Sequence, residues 1–342
     1  MKNPQKHRPM RKNVSIDDYT TGILSGNRTI LAQAITLIES KSSKHLDIGQ
    51  KVIQSILPHT GNSIRIGITG VPGAGKSTVI DSFGMMLCEK GHKVAVLTVD
   101  PSSSKTKGSI LGDKTRMDKL SKHPNAYIRP SPTNGALGGV TRKSRESILL
   151  CEAAGYDVII VETVGVGQSE TTVQSMVDFF LVMVLTGAGD ELQGMKKGII
   201  EMADAIFINK ADGENAKTAK ALQAEYNQIL QYFPCSSEGW RTKAFTLSAL
   251  TGQGIEQMWK IILNFTRTTK PNGNFYNRRK TQQLEWLQSL VEDEVLHHFY
   301  HHPDIKIVWT KLSRQVEDGS ISPTQAARVL LEKYNSMLKP LN

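Results

Sequence analysis

Cysteine is scarce: Cys88, Cys151 and Cys235 are the only three in 342 residues. They are too few and too scattered for a disulfide framework or a zinc site, and three reduced thiols suit a cytoplasmic chain. Long apolar runs are missing as well. The longest, Phe179–Leu185, falls far short of the ~20 residues that a membrane helix requires. The N-terminal MKNPQKHRPMRK is basic, but no apolar stretch follows it, which excludes a secretory signal. It is also short and carries two prolines, which argues against a mitochondrial address. No run of five or more Lys and Arg occurs, and no RNA-recognition or zinc-finger pattern. The formal charge of +10 therefore reads as a solvated basic surface plus one phosphate site, with no nucleic acid and no membrane as partner. Fixed-period repeats and low-complexity segments are absent too.

What remains is the composition of a globular chain, 39% hydrophobic and 22% charged, long enough for two or so domains. Residues 1–60 read as a basic leader and a helical extension. Ser15 with Asp18 fits a capping box, and Leu31, Ala34, Ile35 and Ile38 follow helical spacing. Residues 61–268 alternate apolar runs with helical stretches. The runs are Ile64–Ile68, Val94–Val99, Val158–Val161, Phe179–Leu185, Ala205–Ile208 and Ala244–Leu247. Buried strands separated by helices predict an α/β fold, a doubly wound, mainly parallel sheet covered on both faces. Lys270-Pro271-Asn272-Gly273 breaks the pattern. Residues 269–342 then read as a helical arm, with a stripe at Leu284, Leu287, Val291 and Val295 and a last helix after Ser322-Pro323, carrying Ala327, Val329, Leu330 and Tyr334.

Gly70-Val71-Pro72-Gly73-Ala74-Gly75-Lys76-Ser77-Thr78 matches G-x-x-x-x-G-K-[ST] between a strand and a helix. Glycines let backbone N–H groups close round phosphate oxygens, and the helix N-terminus adds its positive end. Lys76 supplies a point charge to the β- and γ-phosphates, and the Ser77 hydroxyl suits Mg²⁺. Asn209-Lys210-Ala211-Asp212 closes an apolar strand, where a doubly wound sheet binds its ligand. The Asp212 carboxylate can accept from the ring N–H and the 2-amino group of guanine. Adenine has neither donor, and a site built for a missing group rejects the analogue. The Lys210 stem can pack over the base, and Ser248-Ala249-Leu250 suits the loop that backs the guanine carbonyl with an N–H. GTP, with GDP as product, is therefore preferred to ATP.

Glu162-Thr163-Val164-Gly165 follows a strand and orients a metal's water shell, where most GTPases carry Asp. Asp100 and Asp113 lie in Asp100-Pro101-Ser102-Ser103-Ser104 and Gly112-Asp113-Lys114-Thr115-Arg116. They are candidates for γ-phosphate or metal, with a surface-loop role as the alternative.

Together with residues 108–117 (GSILGDKTRM), 129–132 (RPSP), 161–170 (VETVGVGQSE) and 187–199 (GAGDELQGMKKGI), these motifs resemble the MeaB/ArgK/MMAA family of P-loop GTPases over about residues 15–300. The resemblance implies a G-protein chaperone of a cobalamin-dependent acyl-CoA mutase of the methylmalonyl-CoA mutase type, gating adenosylcobalamin loading and helping to expel damaged cofactor. It implies a homodimer built through the C-terminal arm, and Mg²⁺ surrounded by Ser77, Asp100, Asp113 and Glu162. It also implies that Gly187–Gly198 is an extra switch loop. Lys196 or Lys197 in that loop could act on γ-phosphate as an arginine finger does, with two solvated lysines as the alternative. The water-orienting residue is unassigned, because Val166 stands where Ras-like proteins carry Gln, and Gln168 comes two residues later.

Two other functions compete. His297, His298, His301 and His302, at helical spacing, suggest a nickel or zinc metallochaperone GTPase. An ATP-dependent kinase of an amino-acid transport system is the other, against which Asn209-Lys210-Ala211-Asp212 argues.

Overall fold

The computed structural model describes residues 14–40, 42–99, 117–130, 137–163, 169–186 and 197–337. Seven strands form one sheet: β1 (Ile64–Gly70), β2 (Val94–Val99), β3 (Ala126–Pro130), β4 (Val158–Thr163), β5 (Phe179–Leu185), β6 (Ala205–Asn209) and β7 (Lys243–Thr246). Their order is β3-β2-β4-β1-β5-β6-β7, and every pair is parallel. The doubly wound α/β expectation is met.

Alternation along each strand makes two apolar layers. Phe180, Val182, Ile159, Val161, Ile206 and Ile208 face a layer with Ile23, Leu31, Ile35, Val52 and Ile56 from the N-terminal helices Ile16–Leu24, Arg28–Glu39 and Ser43–Ile56. Phe179, Leu181, Ile66, Ile68, Ile160 and Phe207 face the other layer, with Val79 and Phe83 of helix Lys76–Glu89 and with Met258, Ile262 and Phe265 of helix Ile255–Thr269. The Ser15–Asp18 capping box forms, Ser15 Oγ accepting from the Asp18 N–H at 3.1 Å and Asp18 Oδ2 from the Ser15 N–H at 3.1 Å. Leu31, Ala34, Ile35 and Ile38 are buried, as their spacing predicts.

Six apolar runs predict six strands, and β3 is the seventh. It is a five-residue edge strand ending Arg129-Pro130, short and half polar, so it lacks the continuous apolar run of its neighbours. The other edge is closed differently. The Ala244 N–H donates to Asn227 Oδ1 at 2.9 Å, and the Ala244 carbonyl accepts from Gln223 Nε2 at 3.0 Å. Two amides of helix Asn215–Leu230 thus occupy the free side of β7, where a further strand would otherwise pair.

The chain divides at Lys280/Thr281 into two compact units. The second holds the remainder of helix Asn274–His301 with helices Pro303–Glu317 and Pro323–Met337, packed round Ile305, Leu312, Ala326 and Leu330. Leu284, Leu287, Val291 and Val295 are all exposed.

Candidate functional site

In a parallel sheet the C-terminal strand ends share one edge, and ligands sit there where the strand order reverses. Here β1 is central, and the chain leaves it for β2 on one side and returns through β4 to β5 on the other. At the end of β1, Gly70 has φ 144°, and a Cβ there would collide with the Met183 carbonyl oxygen. Gly75, φ 80°, ends the loop, and its Cβ would lie 2.5 Å from Asn209 Nδ2. Larger residues would force the loop off β5 and β6. Helix Lys76–Glu89 begins immediately afterwards, so its first-turn N–H groups, which have no intrahelical acceptor, open on the loop. The Lys76 ammonium, 7% exposed, donates to the Gly70 carbonyl at 2.8 Å and to the Val71 carbonyl at 3.2 Å.

Glu162 lies beside this loop because β4 pairs with β1 in the register Ile68↔Glu162. It is buried, and its Oε1 accepts from Ser77 Oγ at 3.0 Å. Two convergent oxygen donors, one anionic, fit a hard divalent cation such as Mg²⁺. On the opposite face of the same strands, Thr69 Oγ1 and Thr163 Oγ1 share a buried hydrogen bond of 2.8 Å.

Asn209 joins three motifs. Its Nδ2 donates to the Ala74 carbonyl at 2.8 Å, and its Oδ1 accepts from the Ala249 N–H at 3.2 Å. Lys210 follows with φ 60°, the left-handed region, and is the non-glycine residue with positive φ among the described ones. The Ala211 N–H is held by the Leu247 carbonyl at 3.1 Å, which leaves Asp212 half-buried at the rim. Ser248 Oγ accepts from the Thr251 N–H at 3.2 Å, and Ser82 Oγ donates to the Ala249 carbonyl at 3.1 Å. Gly70–Thr78, Glu162, Asn209–Asp212 and Ser248–Leu250 thus share one edge. Asp100, Asp113, Lys196, Val166, Gln168 and the Lys197 side chain lie outside the described residues.

Sequence reasoning missed Ser82, which no local motif marks. It also missed a second polar constellation, at the N-terminal strand ends. Arg278 donates to Asp204 through Nη1 and Nη2 at 2.8 and 2.9 Å, and Arg279 to Asp178 through Nε and Nη2, both at 2.6 Å. Asp178 also accepts from the Arg65 N–H, and Asp204 from the Phe180 N–H, both at 2.8 Å. Arg65 pairs with Glu152 at 2.9 Å, and Glu152 accepts from Ser63 Oγ and the Gly61 N–H. Burial pushes the Glu152 carboxyl up, but Arg65, Ser63 and Gly61 outweigh it and hold it below its ordinary value. Arg278 and Arg279 are likewise held above the usual arginine value, burial being outweighed by Asp204 and Asp178.

The histidine cluster forms pairs. The His297 and His301 rings stack with centroids 4.0 Å apart, and His298 Nε2 lies 3.2 Å from Glu294. Among the described residues no three or more His, Cys, Asp or Glu are grouped to hold a metal ion. None of the described helices is long and apolar enough to cross a membrane.

A central strand entering a glycine-bounded loop and helix, with Asn-Lys-Ala-Asp closing β6, defines a P-loop GTPase. Residues 31–304 match the family described as methylmalonyl Co-A mutase-associated GTPase MeaB, and the chain belongs to that family. It is 47% identical over 321 residues to a probable GTPase of Mycobacterium tuberculosis, covering 94% of this chain and 96% of that one. It is 46% identical over 331 residues to the mitochondrial methylmalonic aciduria type A homolog of Mus musculus, covering 94% of this chain and 80% of that one. Among solved structures, a LAO/AO transport system kinase superposes with a TM-score of 0.77 at 37% identity, covering 95% of this chain and 99% of that one. The chain accordingly binds guanine nucleotide and hydrolyses GTP.

Proposed function

We propose that this GTPase is a Mg²⁺-dependent, cytoplasmic chaperone of a cobalamin-dependent acyl-CoA mutase of the methylmalonyl-CoA mutase type, gating adenosylcobalamin loading and protecting or reactivating the mutase. Residues 61–268 form the GTPase domain. Gly70–Thr78 hold the phosphates, Lys76 bearing charge to the β- and γ-oxygens. Asn209, Lys210 and Asp212 read guanine, with Ser248–Leu250 behind it. Ser77 and Glu162, with Asp100 and Asp113, hold Mg²⁺, which when bound neutralises charge on the transferring phosphoryl group. Lys196 or Lys197 reaches the γ-phosphate when the partner docks. Replacing both with alanine is expected to remove partner-stimulated turnover.

The observation that carries this reading is the meeting of three motifs at one edge: Ser77 Oγ lies 3.0 Å from Glu162, and Asn209 lies 2.8 Å from the Ala74 carbonyl of the phosphate loop. The family description and the mouse relative's name support the mutase as client. Residues 269–342 are the dimerisation arm. Its stripe of Leu284, Leu287, Val291 and Val295, between 53% and 67% exposed, is apolar surface of the kind that a second copy covers.

The test is hydrolysis of GTP, with ATP as control, with and without a cobalamin-dependent acyl-CoA mutase from the same genome. GTP-specific stimulation by the mutase is expected. Turnover of ATP would favour the transport-kinase reading, and GTP turnover indifferent to every such mutase would remove the client.

A further inference from the structure

Within the loop that follows β7, the Ala249 peptide groups are held from both sides. The Ala249 N–H donates to Asn209 Oδ1 at 3.2 Å, and its carbonyl accepts from Ser82 Oγ at 3.1 Å. The N–H groups of Ser248, Thr251 and Gly252 are used inside the loop's own turn, on the Gln253 carbonyl, Ser248 Oγ and the Ser248 carbonyl. The Leu250 N–H has no acceptor among the described residues. No cis peptide occurs among them, so the carbonyl of Ala249 and the N–H of Leu250 point in opposite directions from one rigid plane. Fixing that carbonyl on Ser82 therefore aims the Leu250 N–H outward, on the side of the loop away from helix Lys76–Glu89.

The same helix carries Ser77 at its N-terminus, five residues earlier, a rise of about 7.5 Å. It thus fixes the spacing between phosphate grip and base loop. A second tie, Lys90 Nζ to Glu256 Oε1 at 3.1 Å, joins its far end to helix Ile255–Thr269.

We propose that Ser82 is a positioning residue for base selection: by anchoring the Ala249 carbonyl it presents the Leu250 N–H to the 6-oxo group of guanine. This rests on the reading of Ser248–Leu250 as the loop behind the base. Ser82 touches no nucleotide atom and acts through one peptide plane.

The test compares binding of GDP with that of 2-aminopurine riboside diphosphate, which keeps the 2-amino group but lacks the 6-oxo group and, with it, the ring N–H, so that the change on substituting Ser82, taken ligand by ligand, is the readout. Wild-type protein is expected to bind GDP the more tightly. Ser82→Ala, a good helix former at a half-buried helical position, is expected to weaken GDP binding by about threefold to tenfold, the range of one hydrogen bond. It should leave the 6-deoxo analogue's affinity unchanged, and Ser82→Thr, which keeps the hydroxyl, should restore GDP binding. Equal losses for both ligands would mean that Ser82 only supports the fold, and no loss for either would mean that it does not position the loop. Each outcome overturns the proposal while leaving the loop's role intact. Equal binding of the two ligands by the wild type would instead remove the base-loop reading itself, together with the ring N–H contact to Asp212.

Discussion

At the C-terminal ends of β1, β4 and β6, the structure uses glycines, hydroxyls, the Asn209 amide and two separate charges, the Lys76 ammonium on backbone carbonyls and the Glu162 carboxylate on the Ser77 hydroxyl, with no bidentate ion pair among them in the described residues. At the N-terminal ends of β1, β5 and β6 it uses two bidentate Arg–Asp pairs and an Arg–Glu pair, with Asp178, Asp204 and Glu152 all buried. The same strands connect the two edges. The upper edge can exchange a carbonyl partner for a phosphate oxygen at small cost, as Lys76 requires. The lower edge cannot release a partner without leaving a charge uncompensated in the interior. Ligand response and structural integrity thus sit at opposite ends of one sheet. Breaking the lower edge should change stability without changing nucleotide preference, and breaking the upper edge should do the reverse.

The largest effect is expected from Arg278→Ala. It leaves Asp204, 0% exposed, with only the Phe180 N–H and the Ser236 hydroxyl among the described residues, and should lower unfolding stability by about 3–5 kcal/mol. Urea unfolding reads this. GDP affinity of the folded fraction should stay near the wild-type value, and a large loss there would dissolve the division of labour. Lys76→Ala is the converse. Nucleotide affinity by titration calorimetry should fall by about 2–5 kcal/mol, with the urea midpoint moving far less. Thr69→Val comes next, leaving the Thr163 hydroxyl buried without its partner, for about 1–3 kcal/mol. Because that pair joins the strands that carry the phosphate loop and Glu162, a loss of turnover larger than the loss of stability would show that it also couples them.

The smallest is a pH effect at the lower edge. The native Glu152 carboxyl titrates below its ordinary 4.5. The folded protein therefore binds that proton less readily than the unfolded chain. The resulting stability is complete above pH 4.5 and is lost as pH falls through the lowered native value. Urea midpoints should converge between wild type and Glu152→Gln on acidification from pH 7 to pH 3. A constant gap would mean that the carboxyl is not held down by Arg65.

The two edges also differ in how far the sequence discloses them. Gly70–Thr78 and Asn209–Asp212 are legible because each motif lies within one short stretch, where the spacing itself is the pattern. The polar constellation at the N-terminal edge is illegible because its members, Gly61, Ser63, Arg65, Glu152, Asp178, Asp204, Arg278 and Arg279, are brought together only by the fold. In sequence their charges, three acidic and three basic, are indistinguishable from those of a solvated surface. Ser82 is hidden for the same reason, being an ordinary helical serine until helix Lys76–Glu89 packs beside the loop after β7. β3 escaped because a short edge strand ending in proline has no apolar run. The stripe at Leu284, Leu287, Val291 and Val295 shows the limit of periodicity, which marks a shared face but not what covers it.

The proposed guanine selector is Asp212, at the C-terminal edge of β6. Hydrolysis of GTP and of xanthosine triphosphate by wild type and by Asp212→Asn tests it most directly. Wild type should prefer GTP, and the variant, which replaces an acceptor oxygen with a donor amide, should prefer the xanthine nucleotide. An unchanged preference for GTP would contradict the assignment of the base-reading site to this strand end.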